Sequence, residues 1–571
     1  MLNLLSKIIP ATQILPVEEI NTASELFIPL RVLGFFVVGL LNALLMLALS
    51  RKFLRGAQGS GYRAGDYFKW VNKKDNVYFT RICMLAMLSV LGFILVNMAV
   101  SFISHPMIKY SGFLVYFLFL AIYLKGESKD KSRVPLVITK RTIRVMITFA
   151  LLVVLLSVAL IFIVNFIAIP FQNNLLANFR YAVLCLCPIA IPYLVLLSLI
   201  INKPLEKIIN KKYYKACKET LANRQDLIKI GITGSYAKTT VKNILTTILS
   251  EKYKVLASPE SYNTPMGVVK TVKRLEDSHQ VLICEMGARR SGEIRELCSL
   301  VEPRIAVITG INSQHLESFI SIENIIRTKS EIIGGDFSGK AFISADSVHA
   351  VGIYEKASCE KYLAGVKKHD SSSVYAENIV VNESGTSFTI VCGEEKIDLK
   401  TELLGEHNVS NIVLCVSVAL NLGFTLKEIA LAIEKLKMIP HRLELKKAEN
   451  GVFVLDDGYN SNPDGIMHAI KVLSSFSGKK YVVTPGVIEL GASGYRYNYE
   501  AGRYMASVCD GVILVGRRGS LHIREGLLSK EYPTDKIYMV KNLEEGKEKL
   551  KDLVSLGDTV LFANDLPDIH L

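Results

Sequence analysis

The sequence predicts a multi-domain chain: an N-terminal α-helical membrane domain of about five spans, followed by two α/β domains. Three observations predict it. Apolar, uncharged runs crowd the first 202 positions, whereas from about residue 226 the composition is that of an ordinary soluble α/β protein. The charge divides at the same place: residues 1–225 carry 26 Lys and Arg against 9 Asp and Glu, and the remainder carries 41 against 44. Finally, a short apolar run at 227–232 leads into a Gly-containing loop, a Lys-Thr pair and an apolar-periodic stretch. That is the strand–loop–helix order that cradles phosphate. A chain of 571 residues has room for roughly three to four domains.

Five segments, 27–50, 80–103, 107–124, 145–170 and 181–202, are long and apolar enough to cross about 30 Å of hydrocarbon. The third is short and follows the second closely, the pattern of a tight helical hairpin. Basic residues gather in two connections. Arg51, Lys52, Arg55, Arg63, Lys69, Lys73 and Lys74 lie within 51–79; Lys125, Lys129, Lys131, Arg133, Lys140, Arg141 and Arg144 lie within 125–144. The other two hold little more than Lys109 and Arg180. Positive connections stay cytoplasmic, so the N-terminus is expected outside and everything after residue 203 inside, where ATP is available. The first apolar run starts too late for a cleaved signal peptide, and more spans follow it. The spans carry no buried acidic pair or His relay, so an anchor is expected rather than a transporter.

Residues 203–225 (KPLEKIINKKYYKACKETLANRQ) read as a basic juxtamembrane helix at the lipid surface. The positive charge thus sits beside membrane lipid, and no nucleic-acid partner is expected. Ten cysteines without a CxxC pair read as free thiols in a reducing compartment.

In LIKIGI-TGSYAKTT-VKNILTTILS (227–250), the loop amides and the helix N-terminus face an anion. Lys238 can reach the β and γ phosphates, and the Thr239 hydroxyl can sit on Mg²⁺. The alternative is a Gly-Ser turn ahead of a helix that happens to contain Lys-Thr. Ala237 stands where such loops usually carry glycine. If its backbone is left-handed, alanine costs about 1 kcal/mol.

Beyond the loop, the chain resembles the Mur ligase family, over roughly residues 226–500. GITGSYAKTTVK resembles its nucleotide loop, with Gly234, Ser235, Ala237, Lys238, Thr239 and Thr240 as the ATP-binding positions. EMGARRSGEI (285–294) resembles the segment with a metal-binding glutamate, here Glu285. HLESFISIENIIRTKSEI (315–332) resembles the one with a metal-binding histidine and a reactive lysine, here His315 and Lys329. GEHNVSNI (405–412), with Asn408 and Asn411, resembles the adenine-side motif. HRLE (441–444) and DDGYNSNP (456–463) resemble the start of a C-terminal domain. The EMGA, HLE…KSEI and DDxYNxNP forms are closest to the MurF type, which adds D-Ala-D-Ala to a UDP-linked muramoyl tripeptide.

The resemblance implies a central ATP-binding domain at 226–437 and a Rossmann-like C-terminal domain at 438–571, behind a membrane domain at 1–202 and a linker at 203–225. It implies an ATP-dependent, ADP-forming amide ligase of peptidoglycan biosynthesis in a bacterial-type inner membrane. Thr239 and Glu285 would hold one Mg²⁺; His315 and a carbamylated Lys329 would hold a second. An ion pair of Lys329 with Glu331 or Glu323 is the plainer alternative. Arg442 and Asp457 would face ATP from the C-terminal domain. Asn263 and Thr264, together with Tyr459, Asn460 and Asn462, would face the substrates: a peptide or muramoyl-peptide carboxylate and an amino acid or D-Ala-D-Ala.

Two departures matter. MurF-type enzymes begin with a soluble uridine-binding domain, and membrane spans stand in that place here. The ending VLFANDLPDIHL lacks the expected basic character. A lipid-linked acceptor, a ligase building another polymer such as a poly-amino acid, and a non-catalytic cell-wall scaffold are the readings these departures leave open.

Overall fold

The structure is a computed structural model. It describes residues 37, 39–72, 77–100, 111–128, 135–168, 180–259, 262–314, 316–458, 462–488, 490, 493–516 and 518–564. Residues 27–36 of the first expected span, together with His315, Tyr459 and Asn460, lie outside that set. By contacts the chain divides into two compact units, 1–209 and 210–571.

Among the described residues, three helices are long and apolar enough to cross a membrane: Tyr78–Ala99, Lys140–Ile163 and Ala182–Ala222. Of the other two expected spans, the described residues include the apolar helical stretches Gly39–Leu49 and Gly112–Lys125. The expected hairpin is present as packing: Phe93 meets Phe113 edge-on at 5.0 Å, and a Cβ on Gly92 would come within 2.5 Å of Val115. The basic connection after residue 50 is not a plain loop. It holds helices Arg51–Gly59 and Ala64–Val71, because Phe53, Leu54, Ala57, Tyr67 and Val71 are buried among the spans. Trp70 lies so close to Gly56 that a Cβ there would sit 2.4 Å from its ring. Glu206 pairs with both Arg141 and Arg144, which ties the start of the Lys140–Ala168 helix to the helix that begins at Cys187. Residues 203–222 continue the helix that begins at Cys187.

The second unit holds two sheets. The first has nine strands: β1 (Ile228–Thr233), β2 (Val255–Ala257), β3 (Val281–Glu285), β4 (Ile305–Ile308), β5 (Lys340–Ser344), β6 (Glu360–Gly365), β7 (Ser372–Asn382), β8 (Gly385–Cys392) and β9 (Glu395–Thr401). Their order is β2-β3-β1-β4-β5-β6-β7-β8-β9. Strands β2 to β7 and β1 run parallel, and β7-β8-β9 form an antiparallel meander.

The apolar runs are continuous because both faces are covered. Ile230, Ile232, Val281, Ile283, Val307 and Phe342 pack on one side, against helices Lys238–Leu249 and Glu406–Asn421. Leu282, Cys284, Ala306, Ile308 and Ile343 pack on the other, with Ile294, Ile325 and the helix-end residues Cys217 and Leu221. The period-2 alternation of a strand thus serves two cores.

The second sheet comprises β10 (Glu444–Lys447), β11 (Phe453–Asp457), β12 (Lys480–Thr484), β13 (Gly511–Val515), β14 (Ile537–Val540) and β15 (Thr559–Ala563). Its order is β10-β11-β15-β12-β13-β14, parallel except for β10. It too has a core on each face.

Phe342 is fully buried and stacks on Tyr362 at 4.9 Å. Phe342→Ala is expected to cost about 3–5 kcal/mol, read as a lowered unfolding midpoint of the full-length protein in detergent.

Candidate functional site

Strand β1 lies between β3 and β4, so the chain departs to opposite sides of β1. In an open α/β sheet, the carboxyl ends of the strands at such a reversal enclose a crevice. The segment after β1 is the phosphate-type loop, β3 ends on Glu285, and the segment after β4 runs from Thr309 to Gln314.

The loop is pinned to its neighbour. Ser235 N donates to Gly310 O at 2.8 Å, and Thr309 Oγ1 donates to Tyr236 O at 2.5 Å. Gly234 must be glycine, since a Cβ there would lie 2.0 Å from Thr309 Oγ1. Gly310 accommodates the Tyr236 ring, which a Cβ would meet at 1.8 Å. Ala237 is left-handed, at φ 62, and ends the loop as N-cap of the Lys238–Leu249 helix. The conformation normally filled by glycine is thus retained with alanine in it.

Glu285 is buried, with its side chain 2 % exposed, and every partner is polar. Thr239 Oγ1 donates to Oε2 at 2.9 Å, Asn263 Nδ2 donates to Oε1 at 3.1 Å, and Lys242 Nζ lies 3.6 Å from Oε2. The Glu285 amide donates to Ser258 Oγ at 3.2 Å. A buried carboxylate with a hydroxyl at its side is a donor set suited to a hard divalent cation. Lys242 was not anticipated, although its place one turn beyond Lys238 puts both on one helix face.

Lys238 folds back on the loop, donating to Gly234 O at 2.8 Å and Ser235 O at 2.9 Å. Burial lowers its pKa to about 8, the nearby Arg442 adds to the shift, and Glu285 opposes it. Lys329, 3 % exposed, is held well below the ordinary lysine range by burial and by the Lys238 charge. The expected ion pairs are absent: among the described residues no carboxylate lies within salt-bridge distance of Lys329. Glu331 instead accepts from the amides of Gly292 and Arg295, at 2.8 and 3.0 Å, and Glu323 is an exposed residue of the first turn of helix Ile322–Ser330.

A cleft beside the loop is lined by Tyr236, Ala237, Thr240, Asn408, Asn411, Arg442, Asp457 and Asn462, among others. Asn408 also donates to Leu404 O at 2.8 Å. Burial raises the Asp457 carboxyl to about 6, and Arg442 opposes that rise. Arg442 sits between two left-handed residues, His441 and Leu443 (φ 58 and 54). Across the cleft, His407 and His468 stack at 5.1 Å, and burial holds His407 neutral down to about 3.

Two expected substrate residues have structural duties. The Thr264 side chain caps helix Pro265–Val272, and Asn462 caps helix Pro463–Ser474. Near Arg442, His441, Glu444 and Asp456 also converge. Lys446 pairs with both carboxylates at 2.9 Å and offsets one of their two charges.

The comparisons agree with this geometry. The Mur ligase middle domain matches residues 232–419, and the Mur ligase glutamate ligase domain matches 441–564. The UDP-N-acetylmuramoyl-tripeptide–D-alanyl-D-alanine ligase of Haemophilus influenzae is 31% identical over 337 residues, 57% of this chain and 73% of the relative. Its Bacillus subtilis counterpart is 30% identical, over 58% and 72%. Among solved structures, MurF from Acinetobacter baumannii superposes with a TM-score of 0.57 at 25% identity, covering 63% of this chain and 79% of that one. MurF from Thermotoga maritima in complex with ADP gives 0.55 at 26%, covering 63% and 82%.

The pH dependence of nucleotide binding follows from Lys238. Without ligand its ammonium is half-titrated near pH 8, and a bound polyanion favours the charged form, raising its pKa. Affinity is therefore full below about pH 8 and falls as pH rises through it, with proton uptake on binding. Calorimetry in buffers of different ionisation enthalpy reads this uptake directly; its absence at pH 8.5 would contradict the assignment. At Ala237 the left-handed backbone costs roughly 1–2 kcal/mol, against roughly 0.5–1 kcal/mol of extra chain entropy for glycine. Ala237→Gly is therefore expected to leave thermal stability unchanged or slightly raised.

Proposed function

The chain belongs to the Mur ligase family as an ATP-dependent, ADP-forming ligase of the MurF type, and from that premise we propose that it joins a muramoyl-peptide carboxylate to D-Ala-D-Ala at the cytoplasmic face of a membrane. The observation that carries this reading is the cluster at the ends of β1 and β3. There Glu285, Thr239 and Lys242 converge within 3.6 Å beside a phosphate-type loop.

In this reading, the loop amides and Lys238 hold the β and γ phosphates, and the peptide carboxylate attacks the γ-phosphorus in line, with ADP leaving. The amine then attacks the acyl carbon, the C–N bond forms, and phosphate departs with the electron pair of the broken C–O bond. Mg²⁺, when bound, supplies charge neutralisation between the phosphates; Thr239 and Glu285 would hold one ion, and His315 and Lys329 a second. A buried lysine without a carboxylate partner favours its neutral amine, the form that adds CO₂ to become a carbamate. Lys329 therefore suits carbamylation. Arg442 and Asp457 approach the phosphates from the C-terminal domain; Asn408 and Asn411 face the base side. Asn263, Thr264, Asn462, Tyr459 and Asn460 would face the substrates, the first three while keeping the local bonds described above.

The membrane reading rests on the three long apolar helices and the basic connections. It places residues 1–202 as a multi-pass anchor, 203–225 as a juxtamembrane linker, and the domains at 226–437 and 438–571 in the cytoplasm. The apolar helices where the MurF type carries a uridine-binding domain favour a second reading, a lipid-linked acceptor presented at the lipid surface.

The decisive assay offers the purified protein UDP-linked tripeptide, or its lipid-linked counterpart, with D-Ala-D-Ala and ATP, and measures phosphate release and product mass. Turnover is expected with one of the two acceptors. Turnover with glutamate alone would replace this reading with synthesis of another polymer; ATP binding without hydrolysis under every combination would make the protein a scaffold. Lys329→Ala is expected to lose at least a hundredfold in kcat and to recover part of it with a short-chain carboxylate. Trypsin added to inverted membrane vesicles should digest residues 226–571, and the same region should be protected in intact spheroplasts.

A further inference from the structure

The segment between β4 and His315 is joined to the C-terminal domain by side-chain hydrogen bonds of Asn312 and Ser313. Asn312 uses both ends of its amide. Its Oδ1 accepts from Gln314 N at 3.0 Å, which shapes the backbone one residue ahead of His315. Its Nδ2 donates to Asn462 Oδ1 at 2.7 Å and to Asp464 Oδ2 at 2.9 Å, at the start of helix Pro463–Ser474. The next residue repeats the link, with Ser313 Oγ 3.0 Å from the Tyr497 hydroxyl on helix Gly494–Val508. Asn312 is 8 % exposed, so in the docked arrangement these bonds are sheltered from competing water. Gln314 Oε1, in the same segment, is buried without a hydrogen-bond partner, so the segment is short of one bond even when docked.

We propose that Asn312, Ser313 and Tyr497 are positioning residues that couple docking of the C-terminal domain to the conformation of the segment carrying His315. Asn312 is the hinge pin of this coupling, because one planar amide fixes the local turn and the partner domain together. Loss of docking frees its Nδ2 side and relaxes the turn held by its Oδ1. The inference rests on the family reading for the part His315 plays, and on the three hydrogen bonds for the coupling.

The test uses full-length protein in detergent and a non-hydrolysable ATP analogue titrated at a series of Mg²⁺ concentrations. Asn312→Asp keeps the Oδ1 acceptor but removes the donor and faces Asp464 with a like charge. Tyr497→Phe and Ser313→Ala each remove one hydroxyl, and Ser313→Thr retains it. Each of the first three is expected to raise the Mg²⁺ concentration at half-saturation by about two- to tenfold, the range one net hydrogen bond carries. Analogue affinity at saturating Mg²⁺ should stay within about twofold. The Ser313→Ala, Tyr497→Phe double variant should be no worse than either single one, because both lose the same bond, and Ser313→Thr should match the wild type. As a readout independent of nucleotide, amide hydrogen exchange of residues 309–314 should quicken in Asn312→Asp and Tyr497→Phe. An unmoved Mg²⁺ midpoint, additive effects in the double variant, or unchanged exchange overturns the coupling. Wild-type protein that binds no analogue at all overturns the family reading of the site instead, so the two failures are distinct.

Discussion

A carboxylate taken out of water costs several kcal/mol unless it is paired and hydrogen-bonded, and Glu285 is such a carboxylate, at the end of a fully buried strand. Its partners come from three places in the chain: Thr239 and Lys242 from the helix after the loop, Asn263 from the turn before the next helix, and Ser258 from the end of β2. These segments meet at Glu285 because β1 and β2 flank β3 in the sheet. The sheet order is therefore what makes the carboxylate affordable, and the carboxylate in turn fixes where the loop, the Lys238 helix and the Asn263 turn must stand.

Several cations gather around it. Lys238, Lys242, Lys329 and Arg442 lie about Glu285 and Asp457, with Glu293 and Glu331 also acting on Lys329, and the cations lower one another: Lys238 shifts Lys329, and Arg442 shifts Lys238. A site that stores mutual cation repulsion is stabilised by a polyanion and destabilised by a neutral ligand. The Lys238 ammonium meanwhile rests on two loop carbonyls, bonds it can exchange for phosphate oxygens without leaving its helix. Binding a triphosphate would thus relieve repulsion already present, with little reorganisation.

Legibility in the sequence followed the physics of each element. The strands were readable because β1, β3 and β4 are buried on both faces, so their runs are apolar apart from Lys229 in β1, and the loop was readable because its glycine and Lys-Thr stand between strand and helix patterns. The left-handed backbone at Ala237 was readable as a condition, and the structure meets it at φ 62. The helices at 51–59 and 64–71 were not readable, since Arg51, Lys52, Arg55 and Lys69 mask the apolar face that buries them. Thr264 and Asn462 were ambiguous for a chemical reason: a side-chain oxygen that caps a helix is also one that could bind a substrate. Lys242 was missed for lack of a motif, although helical spacing alone sets it beside Lys238.

The contacts between the two sheets' domains are of mixed character. Asn312 with Asn462 and Asp464, Ser313 with Tyr497, the His407–His468 stack and the Lys471–Glu406 pair join polar side chains, while Leu404 and Val381 pack into the C-terminal core. A neutral hydrogen bond contributes about 0.5–1.5 kcal/mol net and an exposed ion pair about 0–1 kcal/mol. A handful of polar contacts and two apolar side chains hold less than either core, which would resist opening by tens of buried side chains. The chain enters the C-terminal domain through His441 and Leu443, both left-handed, a conformation disfavoured by roughly 1–2 kcal/mol per residue. Strain at that entry, beside the Arg442 that faces the cleft, places the cost of the docked arrangement at the one point where a small change of backbone would swing the whole domain. Docking is then a balance of comparable terms, and a polyanion gathered by the four cations is the ligand with the charge to decide it.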